Sequence, residues 1–229
     1  LVLATPDAPL FAAIIVALFG VERALASPLR SWRATGWWSL AGAALGGAFV
    51  AKYTAVLLPT GLVLACIVHP ALRARFREPG PWLASLIALL LFTPVLIWNA
   101  QHDWASFRFQ FVRAVAVHEL SFRTVGEFFG LQFGLVGFVL LPVVLSGATL
   151  TAWRGYRTRE PVAILLSTAV LVPLLYFFWK SLTLRVGDTW PMFLWPAGFA
   201  ATAINLTLLS REGWPDWMVK SSFGWARVA

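Results

Sequence analysis

Charged side chains are scarce in this sequence, and two of them stand where they could do chemistry. Lys52 is the single charge in the 33-residue stretch 36–68, and Asp7 opens an apolar run in Thr5-Pro6-Asp7-Ala8-Pro9. If these runs lie in a membrane, a lysine at depth costs about 2.5–3.5 kcal/mol and needs a partner, for which the phosphate of a lipid-linked substrate is suited. Two simpler interpretations stay open: Lys52 reaches the headgroups from a hairpin tip, and Asp7 caps a helix.

A second polar group lies between two tryptophans, in Trp98-Asn99-Ala100-Gln101-His102-Asp103-Trp104. A histidine beside an aspartate can exchange protons, but adjacent side chains seldom point at one atom, so a structural or substrate-lining role is favoured over catalysis. The residues predicted to line a substrate cavity are Asp7, Lys52, Tyr53, Asn99, Gln101, His102 and Asp103.

Further cations follow outside the apolar runs, on the side where Lys52 is expected. Arg113, Arg123, Lys180 and Arg185 are each an ordinary surface charge when taken alone. Together they indicate an anionic substrate on this side. The candidates for binding a donor phosphate are Lys52, Arg113, Arg123 and Arg185. No Walker, GxGxxG, HExxH or GxSxG motif is found, and a single cysteine excludes a disulfide or a Cys-based zinc site. No cofactor is assigned, and a divalent metal stays open.

Composition identifies the elements that must position these residues. Of 229 residues, 59% are hydrophobic and 12% are charged, whereas soluble domains carry about 25% charged residues. This excludes a soluble globule and a disordered chain and predicts an all-α, polytopic transmembrane helix bundle. The net charge of +8 does not indicate nucleic acid, since loops on the inner face of membrane proteins are rich in Lys and Arg.

Seven spans are predicted, at residues 9–25, 37–51, 53–69, 81–98, 128–152, 161–179 and 189–209. A single helix over 36–68 would be about 50 Å long, so a break at Lys52 is expected. Seven spans place 12 Lys and Arg residues on one side and 6 on the other. The positive-inside rule then makes the side of Lys52 and of the loop 99–127 the outer one. Residues 1–209 form the transmembrane domain, and 210–229 a cytoplasmic or membrane-surface tail.

Two local patterns support the helix assignments. Tryptophans at predicted span ends suit the membrane interface, and glycines in the second span leave a smooth face for close helix contact. The tryptophans are Trp37, Trp38, Trp82, Trp98, Trp153, Trp179 and Trp190, and the glycines are Gly42, Gly46 and Gly47.

Three segments match one known group in order. They are Thr5-Pro6-Asp7-Ala8-Pro9-Leu10, Trp37-Trp38 leading to Ala51-Lys52-Tyr53-Thr54-Ala55, and Pro94-Val95-Leu96-Ile97-Trp98-Asn99-Ala100-Gln101-His102. The group that they resemble is glycosyltransferase families 39 and 83, which includes protein O-mannosyltransferases and the lipid A aminoarabinose transferase. The similarity covers about residues 1–150 and continues less clearly to Asp188-Thr189-Trp190-Pro191.

The resemblance implies a C-type glycosyltransferase with a sugar on a polyprenyl phosphate as donor. It implies an active site on the periplasmic face of the bacterial inner membrane, among membrane lipids. The acceptor would be a lipid or glycan of the cell envelope, such as lipopolysaccharide, rather than a protein. The catalytic carboxylate of this group lies in a first outer loop that would precede Leu1, so no catalytic residue is assigned and we expect an N-terminally truncated fragment.

Two other functions are open from the residues alone. A transporter or lipid flippase would share the spans and the outer polar residues, but it usually carries paired ionisable groups or repeated halves in the membrane. Apart from Lys52, the predicted spans hold few charges, and no repeat is evident. A non-catalytic assembly subunit is the third interpretation.

Overall fold

A computed structural model describes residues 6–115 and 119–212. The described residues form ten α-helices and two short 3₁₀ turns and contain no strand, which confirms the predicted all-α class. The helices are α1 Asp7–Ala26, α2 Trp32–Ala51, α3 Leu57–Val68, α4 Pro70–Arg75, α5 Pro79–Gln101, α6 Ala105–Val115, α7 Phe122–Val136, α8 Leu140–Thr158, α9 Pro161–Ser181 and α10 Trp195–Glu212. The 3₁₀ turns are Tyr53–Val56 and Met192–Leu194.

Local chemistry sets several of the helix starts. The hydroxyl of Ser31 accepts a hydrogen bond from the Ala34 N–H at 3.1 Å and caps α2. Ser121 caps α7 in the same way, through the Thr124 N–H at 3.4 Å. A proline stands in the first turn of α5 and of α9, where its fixed φ suits a helix and its missing N–H costs no hydrogen bond.

Close packing of α2 against α5 holds one half of the bundle together, and α1 covers the other side of α2. A Cβ added at Gly42 would lie 2.6 Å from the Ala84 Cα, and one at Gly46 would lie 3.0 Å from the Ala88 carbonyl oxygen. The predicted close contact at these two glycines is confirmed. The prediction is wrong for Gly47, because its missing Cβ faces open space.

The other half of the bundle is built around α9, which packs on α3, α8 and α10. Gly147 of α8 lets α10 approach closely, because a Cβ there would lie 2.9 Å from the Thr202 Cα. The buried Asn205 amide donates to the Gly147 and Ala201 carbonyl oxygens at 3.0 Å and also contacts the Thr151 hydroxyl. Hydrogen bonds of this kind between helices fix their register where apolar contact alone would not.

The predicted break at Lys52 is confirmed. Helix α2 ends at Ala51, Lys52 is extended with φ −162° and ψ 131°, and the 3₁₀ turn Tyr53–Val56 leads into α3. The apolar stretch is therefore part of a 20-residue helix and a 12-residue helix joined by a polar turn, and that turn carries Lys52 and Tyr53.

The predicted span 128–152 is not one continuous helix. Helices α7 and α8 meet at an angle of 99°. The bend follows α7 at Gly137, whose φ of +102° is a conformation that favours glycine. The Ser121 N–H donates to the Leu182 carbonyl oxygen at 2.8 Å, which ties the start of α7 to the end of α9.

Three helices among the described residues are long and apolar enough to cross a membrane: α1, α5 and α9. Counting the bent pair α7 and α8 as one span raises the number to four, which is still below the seven predicted. The 20-residue α2 is not among them, and its three tryptophans and four glycines add little to its hydropathy. The segment Tyr53–Val68 is apolar but shorter. Residues 213–229 of the predicted tail lie outside the described residues.

The seven predicted interfacial tryptophans divide into three groups, of which one, Trp37 and Trp190, is half-buried. Trp82, Trp98, Trp153 and Trp179 are exposed, as the prediction requires. The prediction is wrong for Trp38, which is 2% exposed. Its indole packs against α5 at Gly80, where an added Cβ would lie 2.8 Å from the Trp38 Cγ.

Candidate functional site

A cavity with a volume of about 460 Å³ opens beside the turn at Lys52. We call it the Lys52 cavity. Its walls are mostly aromatic and aliphatic side chains from the 52–57 turn, α6, α9 and the segment after α9. The lining residues are Lys52, Tyr53, Thr54, Val56, Leu57, Phe107, Gln110, Phe111, Tyr176, Phe177, Lys180, Leu184 and Trp190.

Lys52 is paired with Asp7. The Lys52 Nζ lies 2.6 Å from the Asp7 Oδ1, and each side chain is 19% exposed. Asp7 stands in the first turn of α1, but its side chain makes no capping hydrogen bond there. The carboxylate therefore takes the part of the counterion, while the ammonium, with three N–H donors, keeps further donors for a ligand. Two residues that the sequence marked separately thus form one charged unit.

A second cation reaches the same cavity from α9. Lys180 is 5% exposed, and its Nζ lies 4.6 Å from the centroid of the Trp179 ring. A cation above an indole face is stabilised by the ring quadrupole. From the sequence, Lys180 is predicted only as one of the outer cations and not as a residue of the site. The sequence feature that could have identified Lys180 as a site residue is its position in the last turn of an otherwise uncharged helix, next to a tryptophan.

A chain of hydrogen bonds joins the turn at Lys52 to the corner between α5 and α6. The Tyr53 hydroxyl lies 2.8 Å from the Ser106 hydroxyl, which donates to the Asn99 Oδ1 at 2.6 Å. The Asn99 amide donates in turn to the Val95 carbonyl oxygen at 2.9 Å. The Tyr53 ring also stacks on Phe107, with centroids 5.2 Å apart. The structure thus brings together the two segments that the sequence marked, although Asn99 itself is fully buried and is not among the lining residues.

The other polar residues of that corner lie away from the Lys52 cavity. Gln101, His102 and Asp103 are exposed and are absent from its lining. The His102 ring stacks on Trp98 with centroids 4.2 Å apart, and its Nδ1 lies 2.7 Å from the Trp98 carbonyl oxygen. Asp103 and Trp104 have φ of 50° and 57° and make the sharp turn into α6. Contact of these residues with a substrate stays a prediction.

Two of the three arginine candidates for the donor phosphate, Arg123 and Arg185, also lie outside the lining. Arg123 and Arg185 share the carboxylate of Glu127, at 2.9 and 3.6 Å, and both are largely exposed. The side chain of Arg113 lies outside the described residues. Within the described ranges no three His, Cys, Asp or Glu side chains come together to hold a metal ion. Lys52 and Lys180 are thus the lysines that the structure places at the cavity.

Comparison with known proteins gives two matches. Residues 1–98 match a family described as dolichyl-phosphate-mannose-protein mannosyltransferase. The lipid A galacturonosyltransferase RgtD of Rhizobium johnstonii is 28% identical over 208 residues, which cover 82% of this chain. Both matches support a C-type glycosyltransferase. The chain spans 42% of the length of that relative, and no solved structure matches it.

The matched region places the site within this glycosyltransferase similarity. Residues 1–98 contain both Asp7 and Lys52, together with α1 to α4 and most of α5. The match ends just before Asn99, so α6 and α9, which form the opposite wall of the Lys52 cavity, lie outside it. The longer alignment with the galacturonosyltransferase covers more of the chain than the family match does.

Proposed function

We propose that the full-length protein moves a sugar from a polyprenyl-phosphate donor to a lipid or glycan of the cell envelope. The transfer takes place at the periplasmic face of the bacterial inner membrane, and the Lys52 cavity holds the polar head of the donor. One observation carries the proposal: two lysines line an apolar, aromatic-walled cavity in a membrane glycosyltransferase.

The cavity has the two properties that a lipid phosphate requires. Its apolar walls, with Phe107, Phe111 and Tyr176 among them, suit a prenyl chain, because burying each CH₂ group gains about 0.8 kcal/mol. Its ammonium groups suit a phosphate, because hydrogen bonds between charged groups are stronger than neutral ones and gain further from a low-dielectric site.

In the reaction, an acceptor hydroxyl attacks the anomeric carbon of the donor sugar. The bond from that carbon to the phosphate oxygen breaks with inversion, and the electron pair leaves with the polyprenyl phosphate. The proton passes to a carboxylate of the full-length protein that acts as the general base. Lys52 stabilises the charge that grows on the leaving phosphate, which is where a fixed cation lowers the barrier most.

Donor and acceptor classes are supported by the names of the similar proteins. The matched family is described by a dolichyl-phosphate donor, a polyprenyl phosphate, and the matched relative is named for its action on lipid A. We therefore propose a polyprenyl-phosphate donor and an acceptor in lipopolysaccharide. We place the cavity at the outer face because the resemblance to C-type glycosyltransferases implies an active site on the periplasmic side.

The test is transfer by the full-length protein in vesicles that contain radiolabelled polyprenyl-phosphate sugars and lipid A. We expect Lys52→Ala to lower kcat by about 100-fold or more, as removal of a charge-stabilising group does. Arg33→Ala is the matched control, because Arg33 is an exposed cation at the other end of the same helix. It should transfer at the wild-type rate. Membrane insertion is measured for each variant.

Two outcomes would contradict the proposal. Movement of labelled lipid across the membrane without covalent transfer would identify a transporter or flippase instead. Transfer by Lys52→Ala at the rate of Arg33→Ala would remove Lys52 from the mechanism.

A further inference from the structure

Buried polar atoms without a hydrogen-bond partner are uncommon in folded proteins, and each needs an explanation. Among the described residues, five side chains hold such atoms: Trp38, Thr54, His69, Gln132 and Trp195. Thr54 is the one of these five that lines the Lys52 cavity. A buried hydroxyl without a partner therefore belongs to a side chain that borders a space large enough for a ligand.

The break at Lys52 explains why this hydroxyl has no partner. Thr60, Thr93 and Thr168 lie within continuous helices, and each donates to the carbonyl oxygen four residues earlier at 2.9–3.0 Å. The corresponding carbonyl for Thr54 belongs to Val50 in α2. Thr54 itself lies in the 3₁₀ turn beyond the extended Lys52, so that carbonyl is not in helical position. The turn that exposes Lys52 thus also leaves the Thr54 hydroxyl without its usual acceptor.

Threonine can present this hydroxyl to a ligand without a change in the backbone. Its Cβ carries a methyl group, a hydroxyl group and a hydrogen, and rotation of χ1 by one staggered position moves the hydroxyl to the place of the methyl group or of the hydrogen. No other hydrogen bond among the described residues has to break for this rotation, since the hydroxyl makes none.

We propose that the Thr54 hydroxyl is a ligand-binding group of the Lys52 cavity that donates a hydrogen bond to an oxygen in the polar head of the donor lipid. This proposal deepens the proposed function and rests on it for the class of the lipid. The acceptor oxygen belongs to the phosphate or to the sugar attached to it, and the two sources are separated by comparing lipids with and without the sugar.

The proposal predicts that removal of the Thr54 hydroxyl leaves stability equal or higher and makes ligand binding weaker. In the protein without ligand, the buried hydroxyl is desolvated and unpaired, which costs free energy. Thr54→Val replaces it with a methyl group of nearly the same shape, so the melting temperature should equal or exceed that of the wild type. Binding should weaken about three- to tenfold, since one hydrogen bond to the ligand is lost. A residue that serves packing alone would show neither this pair of effects nor a dependence on the hydroxyl.

The experiment measures equilibrium binding of tritiated polyprenyl monophosphate and of a polyprenyl-phosphate sugar to the full-length protein in lipid nanodiscs. Thr54→Val is compared with Thr54→Ser, which keeps the hydroxyl and should bind within about twofold of the wild type. Thr60→Val is the matched control. Thr60 is an exposed residue of α3 whose hydroxyl already donates to the Val56 carbonyl oxygen, and its removal should leave both affinities unchanged.

Equal weakening for both lipids with Thr54→Val assigns the hydrogen bond to the phosphate, and weakening for the sugar-bearing lipid alone assigns it to the sugar. Unchanged affinity for both lipids overturns the proposal, as does a fall in the melting temperature of Thr54→Val. Weakened binding in a protein that transfers no sugar would contradict the proposed function and leave the role of Thr54 supported. A wild-type protein that binds neither lipid would contradict both.

Discussion

The two ends of the α1–α2 helix pair each carry a partly buried ion pair, and the two pairs differ in how their donors are used. At one end, Arg75 donates to the Leu25 and Ser27 carbonyl oxygens at 2.7 and 2.9 Å and to the Glu78 carboxylate at 3.4 Å. The other Glu78 oxygen accepts from the Arg30 N–H at 3.3 Å. At the opposite end, about 30 Å away along a 20-residue helix, Lys52 pairs with Asp7 beside the cavity.

The difference separates a structural ion pair from a functional one. Glu78 is 5% exposed, and its pair with Arg75 ties the end of α1 to the start of α5 through backbone groups that would otherwise lack partners. Both Glu78 oxygens and two of the Arg75 nitrogens already make hydrogen bonds within the protein, so few donors or acceptors of this pair are left for a ligand. The pair of Asp7 and Lys52 uses one of three ammonium donors and borders a cavity of about 460 Å³. We expect mutations at the first end to change stability and those at the second to change binding.

The largest expected effect on stability is at the end of the helix pair where Arg75 pairs with Glu78. Glu78→Ala leaves the Arg75 guanidinium partly buried without its carboxylate, so the free energy of unfolding should fall by about 3–5 kcal/mol. Glu78→Gln keeps an acceptor for Arg30 and should cost less. Unfolding in a graded denaturant series in detergent measures both. Equal stability of Glu78→Ala and wild type would show that the two ends do not differ in this way.

The second prediction concerns the α2–α5 contact, which lies between the two ends. Gly42→Ala forces the helices apart, because the new Cβ would lie 2.6 Å from the Ala84 Cα. Overpacking of this kind costs about 1–3 kcal/mol. Gly47→Ala is the matched control on the same helix: its Cβ meets open space, and replacing a helical glycine by alanine gains about 0.5–1 kcal/mol. Thermal unfolding should therefore shift in opposite directions for the two variants.

Some breaks in the helices can be predicted from sequence and others cannot. The break at Lys52 follows from length, since a 33-residue apolar stretch exceeds the membrane thickness and contains one charge where it can bend. The break between α7 and α8 has no such signal, because 128–152 is apolar and of ordinary span length. The bend depends on the backbone of Gly137, and the other glycines of this region, Gly126, Gly130 and Gly134, lie inside α7 without bending it.

The candidate site was predictable as a set of residues but not as a set of contacts. Lys52 and Asp7 stand out because charges are rare in apolar runs, yet they are 45 residues apart, and their pairing depends on how α1 packs against α2. The same holds for Tyr53 and Ser106, 53 residues apart. The wall of the cavity opposite the Lys52 turn cannot be predicted in this way, because Tyr176 and Phe177 resemble any other aromatic residues of an apolar helix and Trp190 any tryptophan at a span end.

The third prediction tests whether Asp7 competes with a ligand for Lys52. Asp7→Asn removes a negative charge 2.6 Å from the ammonium, so the affinity for polyprenyl monophosphate should rise about three- to tenfold. Stability should fall by less than for Glu78→Ala, because the Asn side-chain oxygen can still accept a hydrogen bond from the Lys52 ammonium. The control is Glu22→Gln, on the same helix but paired with Arg23 at the other end. Weaker binding by Asp7→Asn would mean that Asp7 orients Lys52 rather than competing for it.

The smallest expected effect concerns the hydrogen bonds that join α6 to the Lys52 turn. Ser106→Ala removes the contacts of its hydroxyl with Tyr53 and Asn99, each worth about 0.5–1.5 kcal/mol. Because α6 supplies Phe107 and Gln110 to the cavity wall, a spin label at position 108, on the exposed side of α6, should become more mobile in this variant.

Ser106→Thr should restore the immobile spectrum, because it keeps the hydroxyl. Ser85→Ala is the control, since the Ser85 hydroxyl donates to the Pro81 carbonyl oxygen within α5 and links no second element. Tyr53→Phe should mobilise the label to a similar degree, and the double variant with Ser106→Ala should add little, because both changes break the same bond. Full additivity would show that the two hydroxyls act independently, and α6 would then be held mainly by the stacking of Phe107 on Tyr53.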